Sequence, residues 1–276
     1  MVSPLVPKDI VPTSFLDVDV SLTGRHWVGP SVEHLRQAEA IQQATELPEP
    51  VARVLATRGI AAEGAAAYLA PKLRDLLPDP MVLRDMGVAA DRLVAALQTR
   101  ERIAIFADYD VDGGSSAALL LDWLRKQSHD ATLYVPDRID EGYGPNPPAM
   151  RDLAKSHDLI ICVDCGTLSY EAIEAASAAD VVIIDHHLAE ETLPKAMAVV
   201  NPNRQDETGD LAHLCAAAVV FLVLVEANRR LRAKGVAGPD LLSMLDLVAL
   251  ATVADVAPLV GLNRALVTQG LKVMSN

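Results

Sequence analysis

The chain has 276 residues, 51% of them hydrophobic, which is enough for one large α/β domain or two smaller domains and excludes general disorder. Its 24 Lys and Arg residues against 37 Asp and Glu residues give a net charge of −13, which should repel nucleic acid unless basic groups cluster or metal ions intervene. Aromatic residues make up 4% of the chain, so a module that stacks bases on an aromatic sheet is disfavoured.

Neither a membrane span nor an export signal is predicted. The longest purely apolar run, residues 214–225, has 12 residues, whereas a membrane-spanning helix needs roughly 20. The amino-terminal residues lack a basic segment that leads into an apolar segment and a cleavage site. Three cysteines are too few for a disulfide framework and fit a reducing compartment. We therefore predict a cytoplasmic protein without a membrane partner.

The first third of the chain is predicted to be an irregular arm followed by helices. Residues 1–30 are rich in proline and turn-forming residues and show no sustained period. Apolar residues then recur at helical spacing. The predicted helices are residues 32–43, 50–58, 61–69 and 85–98. We predict an amino-terminal arm and helical extension over residues 1–82, and the main domain over residues 83–276.

The central region alternates between short β-branched apolar runs and helical stretches, which is typical of βαβ units on a buried parallel sheet. The predicted strands are residues 102–107, 132–135, 159–163, 181–184 and 198–200. Helices are again predicted at residues 210–232, at residues 239–252 and from residue 263. The predicted fold is therefore α/β, with a five-stranded parallel sheet flanked by helices, a helical amino-terminal extension and a helical carboxyl-terminal region.

Acidic residues and histidines follow three of the predicted strands. Ligands of an open parallel sheet collect at the carboxyl ends of its strands. Clustered carboxylates raise one another's pKa unless they bind cations, and oxygen ligands with imidazole suit Mg²⁺ or Mn²⁺ better than Zn²⁺. We therefore predict a two-metal phosphoesterase site, with ions about 4 Å apart that activate a water and hold a phosphate. The residues at this edge are Asp108, Asp110, Asp112, Asp164, Asp185, His186 and His187.

Simpler interpretations exist for each of these groups. The three aspartates at 108, 110 and 112 could form a turn or a calcium loop, although the glutamate that an EF-hand needs is missing. Asp164 could cap a helix predicted near Leu168. The histidines could simply lie at the surface.

Two glycines and two cysteines also admit more than one interpretation. Gly113 and Gly114 lack the spacing of a dinucleotide fingerprint or a P-loop. We expect them to let the backbone turn into a helix near Ser115, whose amides could meet a phosphate. Cys162 and Cys165 fit C-x-x-C, the pattern of a thiol redox pair or of half a zinc site. No second pair exists in the sequence, and Cys162 is expected to point into the core.

Two further charged residues have open roles at this stage. Arg138 follows the second strand and could clamp a phosphate or form a salt bridge with Asp140 or Glu141. Asp255 lies in an otherwise apolar stretch after a helix, where a buried carboxylate needs a partner or a metal.

Taken together, these motifs resemble the DHH phosphoesterase superfamily and, within it, the RecJ single-strand exonucleases. The resemblance extends from about residue 21 to the end of the chain. Its motifs are Asp-Tyr-Asp-Val-Asp-Gly at 108–113, Arg-Ile-Asp-Glu-Gly-Tyr-Gly at 138–144, Val-Asp-Cys-Gly at 163–166, Asp-His-His at 185–187, Asn-Pro-Asn at 201–203 and Thr-Val-Ala-Asp-Val-Ala-Pro-Leu at 252–259.

The resemblance implies a role for each site residue. The metal ligands would be Asp110, Asp112, Asp164, His186 and Asp255, with Asp108 a ligand or a close neighbour of one. Asp164 would bridge two ions, Mn²⁺ or Mg²⁺. Asp185 would orient the histidines, and His187 and Arg138 would lie against the substrate phosphate.

The resemblance also implies a function. It is metal-dependent hydrolysis of single-stranded DNA from the 5′ end in DNA repair and recombination, by a monomer that has single-strand-binding protein as a candidate partner. Alternatives are a phosphodiesterase of short oligonucleotides or nucleotide phosphates, and a non-catalytic replication scaffold. The family's further domains would follow residue 276, so we expect a catalytic-core portion with reduced activity. Alanines stand at position 107 and at two positions in 214–219 where the family has glycine.

Overall fold

The computed structural model describes residues 14–275, and the chain divides into two compact units after Ala70. The first unit begins with a 3-10 turn at Phe15–Asp17 and an isolated bridge between Ser14 and Val28. The first 13 residues of the predicted arm lie outside the described part. Three helices follow as predicted: α1 (Val32–Thr45), α2 (Glu49–Thr57) and α3 (Ala62–Leu69).

Small apolar residues form the core of the first unit. Ile41 of α1 is fully buried among Ala52 and Leu55 of α2 and Ala65 of α3. The Ser31 side chain accepts a hydrogen bond from the backbone N–H of His34 and caps α1. The alanines allow close helix packing in this unit.

The second unit carries the predicted five-stranded parallel sheet, with strand order β2-β1-β3-β4-β5. Its strands are β1 (Ile103–Ala107), β2 (Ala131–Tyr134), β3 (Leu159–Val163), β4 (Asp180–Ile184) and β5 (Ala198–Val200). Its helices are α4 (Leu73–Leu76), α5 (Met86–Thr99), α6 (Val111–Lys126), α7 (Pro147–Ser156), α8 (Tyr170–Ala175), α9 (Ala216–Ala233), α10 (Leu245–Ala254) and α11 (Gly261–Met274). The predicted α/β fold class is confirmed.

The two faces of the sheet are each covered by helices. Ile103 and Ile105 of β1 belong to a core that includes residues of α5, α6, α9, α10 and α11. Ala104 and Phe106 belong to a second core with residues of α7 and α8. This burial on both faces explains why β1, β3, β4 and β5 are apolar runs rather than alternating patterns, whereas the edge strand β2 is partly exposed. It also places Cys162 in the second core, as predicted.

Four predicted helix starts differ from the structure. Helix α6 begins at Val111 rather than near Ser115, because the side chain of Asp110 accepts the N–H of Gly113 at 2.9 Å and caps the helix. Helix α8 begins at Tyr170 rather than near Leu168.

The third error concerns the helix predicted from residue 210, since α9 begins only at Ala216. The carbonyls of Ala212 and His213 accept hydrogen bonds from asparagine side chains, so they are engaged outside a helical ladder. The segment predicted as a helix from residue 239 contains a 3-10 turn at Leu242–Met244 before α10.

Within residues 14–275, no helix has the length and apolar character to cross a membrane.

Candidate metal centre

The ends of four strands lie in register and deliver one row of polar residues to the carboxyl edge of the sheet. Ala107 pairs with Val163, Val163 pairs with Ile184, and Ile184 pairs with Val200. The residues that follow these strand ends are Asp108, Asp164, Asp185 and Asn201. All four are almost completely buried. The sheet register therefore places three carboxylates and one amide side by side.

The loop after β1 depends on a glycine for its tight turn. A Cβ atom on Gly113 would lie 2.4 Å from the carbonyl oxygen of Asp108, whereas a Cβ atom on Gly114 would meet no atom within 4 Å. Gly113 therefore lets the first turn of α6 pass close to the end of β1. This close approach aims Asp110 and Asp112 at the same edge as Asp108.

The carboxylate of Asp112 is held by the amino-terminal end of α9. The backbone N–H groups of Ala216 and Ala217 donate to its Oδ2 and Oδ1 atoms at 2.6 and 2.8 Å. Burial nevertheless raises the pKa of Asp112, and these two hydrogen bonds oppose the rise. Alanine at these positions still permits the close backbone approach to the carboxylate.

Asp164 has the most unusual environment of the group. Its backbone φ is +60°, in the left-handed region, and its carbonyl oxygen accepts a hydrogen bond from the Tyr143 hydroxyl at 3.1 Å. Burial, followed by the charges of Asp112 and Asp110, raises the pKa of Asp164 to about 10. Within the described chain it pairs with no lysine or arginine, so it has the electrostatics of a group that binds a cation.

Two buried carboxylate oxygens at this sheet edge form no hydrogen bond within the described chain. They are Asp108 Oδ1 and Asp164 Oδ1. Buried carboxylate oxygens are normally hydrogen-bonded, so unsatisfied ones need an explanation such as an ion. The donor set around them, carboxylates with imidazole, fits Mn²⁺ or Mg²⁺.

Asp185 organises the two histidines. Its Oδ1 atom accepts the backbone N–H of His186 at 2.7 Å and that of His187 at 3.2 Å, and it contacts His187 Nδ1 at 2.8 Å. Its Oδ2 atom accepts the N–H of Thr167. Burial opposes ionisation of Asp185, but its hydrogen bonds with His187 and Thr167 hold its pKa below the usual value. The hydrogen bond to Asp185 raises the pKa of His187.

The structure brings Asp255 to this edge from the carboxyl-terminal helices. Asp255 follows the last residue of α10, and its Oδ2 atom lies 3.9 Å from His186 Nδ1. His186 Nε2 lies 3.3 Å from Asp164 Oδ1 and 3.7 Å from Asp112 Oδ2. His186 therefore stands between carboxylates from three different segments.

Ligand atoms converge in three groups, each with its atoms within 4.8 Å of one another. Asp164 belongs to two of the groups, and so does His186. Asp108 and Asp110 share a group from which Asp112 is absent, so the three aspartates do not converge as in a calcium loop. The groups are Asp108, Asp110 and Asp164; Asp112, His186 and Asp255; and Asp164, His186 and His187.

Arg138 lies beside this centre. Its guanidinium carbon is 5.4 Å from the ring centroid of Tyr109. The Tyr109 ring contacts Tyr143 edge-on, and Tyr143 contacts His187 edge-on. Arg138 forms no ion pair with any described residue, so the salt bridge considered from the sequence is not formed. Arg138 is therefore a cation available to an anionic ligand.

Several alternatives from the sequence find no support in the geometry. Asp164 does not cap α8, whose cap residue is Ser169. Cys162 and Cys165 are fully buried, and burial raises the pKa of both thiols, which disfavours thiolate chemistry. His186 and His187 point at carboxylates rather than only at solvent.

Sequence reasoning assigned no role to three residues that contact this centre. Tyr143, Asn201 and Asn203 stand inside the quoted motifs, and that position was the only available signal. Tyr143 donates to Asp164, whereas the asparagines bind the backbone of the histidines.

This sheet edge gathers the aspartate and histidine groups, and comparison with known proteins identifies the family of the chain. The model of the DHH family, N-terminal domain, matches residues 102–252, which is more than half of the chain. The chain belongs to the DHH family.

Similar curated proteins carry the name single-stranded-DNA-specific exonuclease RecJ. The protein from Bacillus subtilis (strain 168) is 35% identical over 240 residues, which is 86% of this chain and 29% of that protein. The protein from Escherichia coli (strain K12) is 35% identical over 250 residues, covering 86% of this chain and 43% of that protein. The chain thus spans less than half the length of these relatives.

Solved structures of RecJ proteins are also similar to this chain. A crystal structure of exonuclease RecJ bound to manganese matches with a TM-score of 0.61 and 34% identity, over 71% of this chain and 49% of that chain. RecJ from Thermus thermophilus in complex with Mn²⁺ matches with a TM-score of 0.68 and 29% identity, over 86% of this chain and 33% of that chain.

Proposed function

We propose that this chain carries the metal-dependent catalytic core of a single-stranded-DNA exonuclease. The observation that carries the proposal is that two buried oxygens of the ligand groups, Asp108 Oδ1 and Asp164 Oδ1, form no hydrogen bond within the described chain. The similarity to RecJ proteins supports the substrate, and the 5′-to-3′ direction follows from the motif resemblance. We place the core at residues 83–276 and the helical extension at residues 1–82.

Two of the three ligand groups would each hold one divalent ion. One ion would bind Asp108, Asp110 and Asp164, and the other would bind Asp112, His186 and Asp255, with Asp164 shared. Two such ions, Mn²⁺ or Mg²⁺, supply an activated water and charge neutralisation at a scissile phosphate. Five of the six donors are carboxylates, and they follow β1 and β3, lie at the start of α6 or follow α10, which supports this assignment.

The chain's own residues would position the substrate and the ligands. Asp185 fixes the orientation of His187 through the 2.8 Å contact with Nδ1. His187 is half exposed, so its free face would meet the phosphate. Arg138 would hold a neighbouring phosphate, since no carboxylate in the described chain neutralises it. The α9 amides fix Asp112 so that it does not reorient when the charge at the site changes.

The net charge of −13 is compatible with DNA binding if metal ions bind first. The bare site concentrates carboxylates and would repel a polyanion. Bound cations would reverse the local sign and admit DNA. We therefore expect weak DNA binding by the metal-free chain and binding with steep salt dependence in the presence of metal. A monomer that acts on DNA alongside single-strand-binding protein is part of the same proposal, and it rests on the motif resemblance.

The direct test is hydrolysis of single strands labelled at the 5′ or the 3′ end, with Mn²⁺, Mg²⁺ or chelator. The proposal expects metal-dependent release of short products from the 5′ end. Cleavage of dinucleotides but not of long strands would favour the short-oligonucleotide alternative. Metal binding without cleavage of either substrate would favour the scaffold alternative.

A variant of Arg138 tests the phosphate role separately. Arg138→Ala should raise KM for DNA with little change in Mn²⁺ affinity, because Arg138 stands outside the ligand groups. Arg151→Ala, on the exposed part of α7, is the matched charge control. Equal effects of the two substitutions would contradict a specific phosphate contact.

A further inference from the structure

We propose that three asparagines, Asn201, Asn203 and Asn263, are positioning residues that hold the segments of the metal centre at fixed spacing. The inference rests on the proposed function, since it assigns these residues to the same centre. Each donates from one side-chain amide to two acceptors on different segments of the fold.

Asn201 joins the loop after β3 to the histidine pair. It follows β5 and is fully buried. Its Nδ2 atom donates to Thr167 Oγ1 and to the carbonyl of His187, both at 2.9 Å. Thr167 is three residues after Asp164, and its N–H binds Asp185. Asn201 therefore fixes the distance between the Asp164 loop and the histidine loop.

Asn203 joins the histidine pair to the loop before α9. Its Nδ2 atom donates to the carbonyl of His186 at 2.6 Å and to the carbonyl of Ala212 at 3.1 Å. Its N–H donates to Asn201 Oδ1 at 2.7 Å, which makes the two asparagines one hydrogen-bonded unit. Asn203 therefore sets where the His186 ring stands relative to the segment that leads into α9.

Asn263 joins the loop before α9 to the loop that carries Asp255. It lies in α11 and is fully buried. Its Nδ2 atom donates to the carbonyl of His213 at 2.6 Å and to that of Pro258 at 3.1 Å. His213 lies three residues before Ala216, whose backbone N–H donates to Asp112. Asn263 therefore couples the positions of Asp112 and Asp255.

The chemistry of the amide suits this task. An asparagine side chain offers two N–H donors, so it can bind two carbonyls, whereas serine or threonine offers one. The amide is uncharged and adds no carboxylate to a site that already concentrates them. Residues that orient metal ligands typically change metal affinity by roughly 10- to 100-fold when they are removed.

The test compares Asn203→Ala and Asn263→Ala with the control Asn228→Ala. Asn228 is also buried and also donates to a backbone carbonyl, that of Pro239, but its other contact is with Trp123 in the hydrophobic core. The measurements are Mn²⁺ affinity by calorimetry and the ring ¹⁵N signals of His186 and His187 in the metal-free protein. Thermal melts show whether the three variants lose similar stability.

We expect Asn203→Ala and Asn263→Ala to weaken Mn²⁺ binding by roughly 10-fold or more. We also expect Asn203→Ala to shift or broaden the ring signals of His186. Asn228→Ala should retain both properties at a similar loss of stability. Unchanged ring signals in Asn203→Ala, or an equal loss of affinity in Asn228→Ala, would overturn the inference. A parental chain that binds no Mn²⁺ would contradict the proposed function alone, since the ring signals still decide the role of Asn203.

Discussion

Asp108 and Asp164 stand one residue beyond the paired ends of β1 and β3, and each has an Oδ1 atom that is buried without a hydrogen-bond partner in the described chain. Adjacent parallel strands thus aim two carboxylates into the same small volume. Such a pair repels itself unless a cation or a proton intervenes. The chain therefore accepts electrostatic strain here, as functional sites commonly do.

Replacing Asp164 should separate stability from metal binding. Asp164→Asn removes a buried carboxyl whose pKa burial raises to about 10, so the chelator-treated variant should unfold at the same temperature as the parental chain or at a higher one. Added Mn²⁺ should raise the melting temperature of the parental chain but not that of the variant. Hydrolysis should be abolished. An Mn²⁺-stabilised, active Asp164→Asn protein would show that Asp164 is not a shared ligand.

Asp112 and Asp255 should contribute differently to the unfolding free energy of the metal-free protein. Asp112→Ala leaves the N–H groups of Ala216 and Ala217 without their acceptor, which should cost about 1–3 kcal/mol of unfolding free energy. Asp255 is partly exposed, and its contact with His186 is 3.9 Å long, so Asp255→Ala should change stability by less than about 0.5 kcal/mol. Both variants should lose Mn²⁺ affinity. Urea unfolding with chelator and calorimetry with Mn²⁺ measure the two effects, and equal stability losses would contradict the assignment.

The two glycines of α6 form a matched pair. A Cβ atom on Gly113 would lie 2.4 Å from the Asp108 carbonyl oxygen, whereas one on Gly114 would meet open space. Gly113→Ala should destabilise the chain by about 1–3 kcal/mol and weaken Mn²⁺ binding, because the turn must move. Gly114→Ala should be neutral or stabilising by up to about 1 kcal/mol, since alanine favours the helix. Chemical unfolding of both variants tests this difference. Similar unfolding free energies for the two variants would contradict the close approach of Gly113 to the Asp108 carbonyl.

The fold could be predicted further than the site. Five apolar runs identified the strands. The aspartates that follow three of those runs identified the edge where Asp164 and His186 gather, because strand ends of a parallel sheet share one edge. The register that sets Asp108 beside Asp164 depends on backbone pairing, which no residue pattern reports. The amides of Ala216 and Ala217 were equally invisible, since a backbone donor has no sequence signature. Asn263 lay outside every recognised motif and contacts the site region only through the tertiary fold.

Two ion pairs of a single arginine, outside the metal centre, predict a pH dependence of stability. Arg92 of α5 binds Glu101 and Asp180, and its side chain is 13% exposed. The hydrogen bond from Arg92 holds the pKa of Glu101 below its usual value of 4.5. A carboxyl with a depressed folded pKa contributes stability above its unfolded pKa and loses it as the pH falls through the folded pKa. The contribution is therefore present at pH 7 and fades below about pH 4.

Arg92→Met should lower the unfolding free energy by about 1–3 kcal/mol at pH 7, and the difference from the parental chain should shrink in acid. Arg74→Met is the control, because its pair with Asp75 is largely exposed. The control should change stability by less than about 0.5 kcal/mol. Urea unfolding at neutral and acidic pH gives both values. A constant difference between Arg92→Met and the parental chain at all pH values would contradict the ion-pair explanation.

The central claim is that two metal ions at one sheet edge share Asp164 as a ligand. Anomalous diffraction at the manganese edge, from crystals of the chain grown with Mn²⁺, tests it most directly. The account predicts two peaks, one bound by Asp108, Asp110 and Asp164 and one bound by Asp112, His186 and Asp255 together with the shared Asp164. An absence of manganese at this edge, or a peak that Asp164 does not ligate, would contradict it.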